Sequence, residues 1–307
     1  MAYSDRDDLN YLGQLYLVGA NQSPFLNMIG GLSGGGKVSN SFNFPVAQPW
    51  ALLAAAQRVT SEALAAAAGT PQTYARSQQY NTVQIMKYDY ASTFAKQSTA
   101  GEIAGLSIEG TNPVRDQFAF QKAAAMKQMA VDLDFSFMQG TYAANTGPAA
   151  LGATRGLLEA ISTNNVAGGA AQLTKAMINE LLREMATNGA QFTNMVMFCG
   201  AYQKQKVSDL YGYAPMDRNV GGQNIKQIET DFAQIGVVWT PHIPAASIAI
   251  VDMSVCYPVF VKYNGQIIAD VPTAQVAAQE GGFLYTQVGL DYGPEEYHGE
   301  IVNLAVA

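Results

Sequence analysis

The chain has 307 residues, enough for one large domain or two ordinary ones, and either arrangement buries enough surface for a stable core. Charged residues make up 13% of it, against roughly a quarter in an average soluble protein. That leaves much uncharged surface for contact with a partner, although a soluble protein rich in small residues would share the composition. The formal net charge of -7, with no basic run, argues against a nucleic-acid-binding module, because neutralising phosphates needs clustered Lys and Arg.

The N-terminus, Met1 to Asp8, lacks the basic start and apolar core of a signal peptide, and no window approaches about 18 uninterrupted apolar residues. A cytoplasm-like compartment is expected, with Cys199 and Cys256 as buried reduced thiols in apolar strand-like runs. Residues 1–37 read as an arm with an acidic start, an apolar stretch from Leu9 to Val18, then Ser23-Pro24-Phe25-Leu26 and a glycine-rich break. It has little to fold around by itself. From Val38 the pattern turns extended, with Phe42, Phe44 and Val46 alternating against polar neighbours up to Trp50, and Pro45 and Pro49 confine this run to an edge. An Ala-rich stretch, Ala51 to Gly69, carries Arg58 and Glu62 four apart, as one helical turn would place them. A returning strand, Val83 to Phe94, completes a hairpin, and about ten residues at roughly 3.3 Å each give it a reach of about 30 Å. A ribbon of that length cannot bury both faces on itself, so it is expected to pack on a neighbouring copy.

A long helix is expected from Asn112, a capping residue followed by Pro113 at the first helical position, to Gly140, with Phe118, Met126, Met129, Leu133 and Phe137 at helical spacings. Phe120 and Phe135 fall off that stripe, which predicts contact on more than one side. After a loop to about Gly169 come an amphipathic helix (Met177 to Met185, ended by Asn188-Gly189), a buried strand (Met195 to Cys199) and a helix (Tyr202 to Leu210). This is an α/β order, with helices packed on a sheet. The last third is strands: Ile235 to Trp239, Ile248 to Asp252, Tyr257 to Tyr263, Phe283 to Tyr292 and Tyr297 to Val306.

Candidate chemistry is sparse. Gly31 to Lys37 satisfies G-x-x-x-x-G-K, but Val38 stands where a phosphate-binding loop needs Ser or Thr, and a strand-like run follows in place of a helix. A glycine hinge is expected instead. His242 and His298 have no ligand spacing and are expected as surface or loop histidines; no G-x-S-x-G elbow supports nucleophilic catalysis. The Asp5, Asp7 and Asp8 cluster and the Glu295-Glu296 pair are expected to be solvated. No catalytic residue, cofactor or metal ligand is assigned.

Several segments, taken in order and spacing, carry a resemblance: Ser23-Pro24-Phe25-Leu26 with Met28-Ile29-Gly30, Glu62, Asn81-Thr82-Val83-Gln84-Ile85, the helix from Pro113, and Gly289-Leu290-Asp291-Tyr292 with Ile301-Val302-Asn303-Leu304. On these the chain resembles the major capsid proteins of tailed bacteriophages. The resemblance implies an α+β fold with an N-terminal arm (1–37), an extended β-hairpin loop (38–95), a peripheral domain with the long spine helix (96–145 and 265–307) and an α/β axial domain (146–264). It implies a shell of hexamers and pentamers enclosing double-stranded DNA contacted non-specifically. It further implies portal and cement proteins as partners, a separate scaffold or none, no membrane, and assembly in the host cytoplasm. The long scaffolding extension that one branch of that family carries before the arm is not expected here. Some relatives cross-link through a loop Lys; Lys87 and Lys96 lie near the loop's base and carry no such assignment. The expected intersubunit anchors are Trp50, Arg58, Glu62 and Arg76, the alternative being that Arg58 and Glu62 only pair with each other. An encapsulin-like compartment of the same fold, and a soluble α/β enzyme, are the competing functional readings.

Overall fold

A short helix, Pro24–Met28, leads into β1 (Lys37–Val38), β2 (Asn43–Ala47), a small helix Glu62–Ala66, β3 (Gln79–Thr82) and β4 (Gln84–Thr93). The long helix Gln117–Gln139 follows, then a one-turn helix Leu157–Ala160, β5 (Asn165–Ala167), helix Lys175–Thr187, β6 (Met195–Cys199) and helix Ala201–Tyr211. The chain closes with β7 (Gln227–Glu229), β8 (Gln234–Trp239), β9 (Ile248–Asp252), β10 (Tyr257–Phe260), β11 (Ile268–Pro272), β12 (Gln279–Asp291) and β13 (Gly299–Val302). This computed structural model describes residues 17, 22–32, 35–57, 60–67, 69, 73–95, 116–212, 227–273 and 277–306.

One sheet is built around β12, which pairs antiparallel with β4 over residues 279–288, with β11 over 282–286 and with β10 over 288–291; β1 joins β10 in parallel. The second sheet has the order β5-β13-β9-β6-β8-β7. Its two central strands, MVMFC and IAIVD, are buried at every position, as strands covered on both faces must be. Alternate side chains serve two cores. Val196 and Phe198 of β6 and Ala249 and Val251 of β9 pack with Met129, Leu133, Phe137 and Met138 of the long helix. Met195, Met197 and Cys199, with Ile248 and Ile250, pack with Ile178, Leu181, Leu182 and Met185 of helix Lys175–Thr187. The two-residue period of a strand alone produces this division.

Asp116 caps the long helix by accepting the N–H of Ala119 at 3.0 Å; the expected cap Asn112 and Pro113 lie outside the described residues. Twenty-three residues span about 34 Å at 1.5 Å per residue. Gly140 ends the helix, though not by a left-handed turn, since its φ is -59°. The reason is crowding. Gly156 N–H donates to Gly140 O at 2.7 Å, and a Cβ on Gly156 would sit 2.4 Å from the Gly140 nitrogen.

Two expectations are corrected. The first strand of the arm does not pair with Val83 to Phe94: β2 pairs with β3, residues 79–82, while β4 leaves for the sheet of β12. The change of partner happens at Val83, fully buried, whose N–H is held by Phe42 O at 2.8 Å. Nor is the N-terminal segment without a core, because Phe25 and Leu26 are buried against the long helix and Phe25 meets the Phe198 ring edge-on at 5.5 Å. Burial of each such side chain contributes about 1.5–3 kcal/mol. β13, in the 265–307 segment, pairs with β9 and β5 in the six-stranded sheet, and β10 pairs in the sheet of β12.

Candidate assembly surface

The arm leaves the body at a buried amide. Asn81, fully buried at the end of β3, donates through Nδ2 to Leu290 O (2.7 Å), Thr154 Oγ1 (3.1 Å) and Arg155 O (3.2 Å). Its Oδ1 accepts the N–H of Arg155 (2.7 Å) and of Thr82 (2.8 Å). Thr154 Oγ1 in turn accepts the Leu290 N–H at 3.0 Å. One side chain thereby joins the arm's base, the loop after the long helix and the end of β12. Gly289 lets the arm close on this strand, since a Cβ there would lie 2.8 Å from both the Phe44 ring and Thr82 O.

Beyond the base, the two limbs stay paired where Trp50 bridges Arg76 and Ser77 N–H donates to Pro49 O at 3.1 Å. From Trp50 to Gln78 every described residue is exposed. These include Trp50 at 64%, Leu52 at 71% and Leu64 at 67%, with Leu53 and Tyr74 also open. Helix Glu62–Ala66 is capped by Ser61, which accepts the Leu64 N–H, and none of its residues is buried. A two-stranded extension with no core of its own is marginal in water, and contiguous uncovered apolar side chains mark a surface that meets another molecule.

Of the four expected anchors, the structure brings Trp50 and Arg76 face to face across the arm and places Glu62 at the start of the small helix near its tip; Arg58 lies outside the described residues. Neither Glu62 nor Arg76 makes an ion pair among the described residues. The leucines 52, 53 and 64 and Tyr74 were not singled out in the sequence, where their signal was an apolar content without helical or strand period.

Of the other polar residues singled out in the sequence, Lys37, His242, His298 and Glu295 are held within the chain. Lys37 binds Asp291 at 2.6 Å and lies over the Tyr257 ring, so its ammonium is committed within the chain. Both histidines are buried, against expectation. His298 donates Nε2–H to Tyr292 O (2.6 Å) and accepts the Asp252 N–H at Nδ1 (3.2 Å), and burial lowers its pKa, so it is neutral. Glu295 is also buried, not solvated: it accepts the backbone N–H and hydroxyl groups of Ser162 and Thr163. Burial raises its pKa, but these four hydrogen bonds outweigh that effect and hold the carboxyl below its ordinary value. The cluster Asp5, Asp7 and Asp8 lies outside the described residues. Cys199 and Cys256 are free and buried, and burial pushes the Cys199 thiol up to about 12. Among the described residues no three His, Cys, Asp or Glu side chains converge as a metal site, and no helix is long and apolar enough to cross a membrane.

The family model described as SU10 major capsid protein matches residues 3–305. No curated protein sequence matches the chain. Among solved structures, the cyanophage A-1(L) capsid asymmetric unit is similar at 12% identity and a TM-score of 0.64, over 98% of this chain and 97% of the other. The capsid of a native GTA particle gives 12% identity and a TM-score of 0.63, with 97% and 95% covered. The holo-SrpI encapsulin complex of Synechococcus elongatus PCC 7942 gives 10% and 0.58, with 100% and 98% covered.

Proposed function

The chain belongs to the SU10 major capsid protein family, and from that premise we propose that the uncovered arm is the clamp that joins neighbouring copies in the shell. The protein is a structural component of an icosahedral bacteriophage capsid, located in the virion. The compartment reading shares the fold, but the family match is to a capsid protein.

The observation that carries the proposed clamp is that every described residue from Trp50 to Gln78 is exposed. We assign Trp50, Glu62 and Arg76, with Arg58, to contacts on the adjacent copy, in hexamers and pentamers. The sheet of β12 and the long helix serve as the peripheral domain, and the six-stranded sheet as the axial domain. Portal, scaffold and cement proteins are the partners this role calls for, with assembly in the host cytoplasm and double-stranded DNA enclosed without sequence readout.

The test is Trp50→Ala and Glu62→Lys, with shell yield read by negative-stain microscopy and sedimentation. An interfacial Trp costs about 2 kcal/mol or more on truncation, whereas an exposed one changes subunit stability by about 0.5 kcal/mol or less. Shells should be lost or weakened while the subunit's circular dichroism and melting stay unchanged. Variants that unfold the isolated subunit, or that form shells as stable as the parent's, would remove the arm from this role.

A further inference from the structure

Three segments distant in sequence meet at one buried carboxylate. Asp134, fully buried on the long helix, accepts the Leu26 N–H at Oδ1 (2.7 Å), while its Oδ2 is buried without a hydrogen-bond partner. His242, from the loop after β8, places Nε2 3.9 Å from that Oδ2 and donates to Gln22 O at 3.0 Å. Gln139, further along the same helix, donates to the His242 backbone carbonyl, which fixes the loop against the helix. A carboxylate and an imidazole thus both grip the backbone of one segment, Gln22 to Leu26, with Oδ2 3.9 Å from an imidazole nitrogen whose own hydrogen goes to Gln22 O.

We propose that Asp134 and His242 form a proton-operated clasp that sets how tightly the segment Gln22–Ile29 is held on the long helix. Among the described residues packed on it, the pair has no other titratable neighbour. Residues 22–32 contain no titratable side chain. The loop 240–245 contributes His242 alone. The strand beneath contributes the Phe198 ring against Phe25. On the helix itself, Asp132 is turned to Tyr88 (2.6 Å) and Gln128 (2.7 Å).

Burial raises the Asp134 carboxyl from its ordinary value of 3.8 to about 6, against the lowering effects of the Leu26 N–H, of His242 and of the Phe25 N–H. The docked segment therefore favours the protonated acid. Docking is tightest below about pH 4, where docked and released forms are both protonated, and it weakens as pH rises to about 6. Two pKa units correspond to a change of roughly a hundredfold in the docking equilibrium. The apolar burial of Phe25, Leu26 and Ile29 remains at every pH, so the proton tunes the hold and does not abolish it.

The experiment is amide hydrogen exchange of the Gln22–Ile29 segment in assembled shells between pH 4 and 8, corrected for the intrinsic pH dependence of exchange. Protection should fall by up to roughly a hundredfold across pH 4 to 6 in the parent and stay flat in Asp134→Asn, which is neutral throughout. In His242→Gln the neighbour that lowers the carboxyl is gone, so the midpoint should move to higher pH. Flat protection in the parent overturns the clasp, as does an unchanged slope in Asp134→Asn. Should Asp134→Asn not assemble, an unmoved midpoint in His242→Gln overturns it equally.

Discussion

Replacing Asn81 by Ala should destabilise the subunit itself, through the backbone groups that its amide satisfies. The substitution removes the donor to Leu290 O, to Arg155 O and to Thr154 Oγ1, and the acceptor for the N–H groups of Arg155 and Thr82. Thr154 Oγ1 keeps the Leu290 N–H, so four backbone groups lose a partner. A buried group left unsatisfied costs about 1–3 kcal/mol, but water entering the vacated space recovers part of this, so a loss of about 2–5 kcal/mol is expected. Asn81→Asp should be no milder, because it retains the acceptors while abolishing the donors and introducing a buried charge. Urea denaturation of the unassembled subunit measures the effect directly, with an unchanged m-value showing that stability alone has moved. A midpoint within about 0.5 kcal/mol of the parent's would refute the view that this amide holds the arm's base.

Gly156→Ala should cost about 3 kcal/mol or more, since the new Cβ would press on the Gly140 backbone nitrogen, whereas Gly147→Ala, where nothing lies within 4 Å, should be neutral; thermal melts of the two variants check the contrast. Glu295→Gln should lower stability at neutral pH by about 1–3 kcal/mol through the loss of charge-assisted hydrogen bonds. Because the Glu295 carboxyl is held below its ordinary value, its contribution is complete above that value and disappears as pH falls through the folded one. The gap between parent and Glu295→Gln in denaturation midpoints should therefore close on acidification, and a gap constant down to pH 2 would contradict the assignment.

What the sequence revealed was what period and end signals encode. The strands Met195–Cys199 and Ile248–Asp252 were read with their observed bounds, and Gly140 was read as the end of the long helix. The uncovered arm was legible because Ala51 to Gly69 offers nothing for a core. The exchange of partners at Val83 left no mark in sequence, because Val83 and its neighbours fit either ribbon, and the choice is made by β12, nearly two hundred residues away. Phe25 and Leu26 looked homeless for the same reason: the helix and strand that cover them lie more than a hundred residues on. The histidines and Glu295 were misread because their partners are mainly backbone and hydroxyl groups of remote segments, and such partners have no sequence signature.

The division of β6 and β9 between two cores has a mechanical consequence. Each strand is a party wall, with the long helix lodged on one side and helix Lys175–Thr187 on the other. Rotating one half of the molecule against the other would shear the same strands off one neighbour or the other, and packed walls of this kind resist graded deformation. Any bending needed to seat identical copies at differently curved places must then be taken up where a segment touches only one wall or none: in the arm beyond Asn81 and in the N-terminal segment.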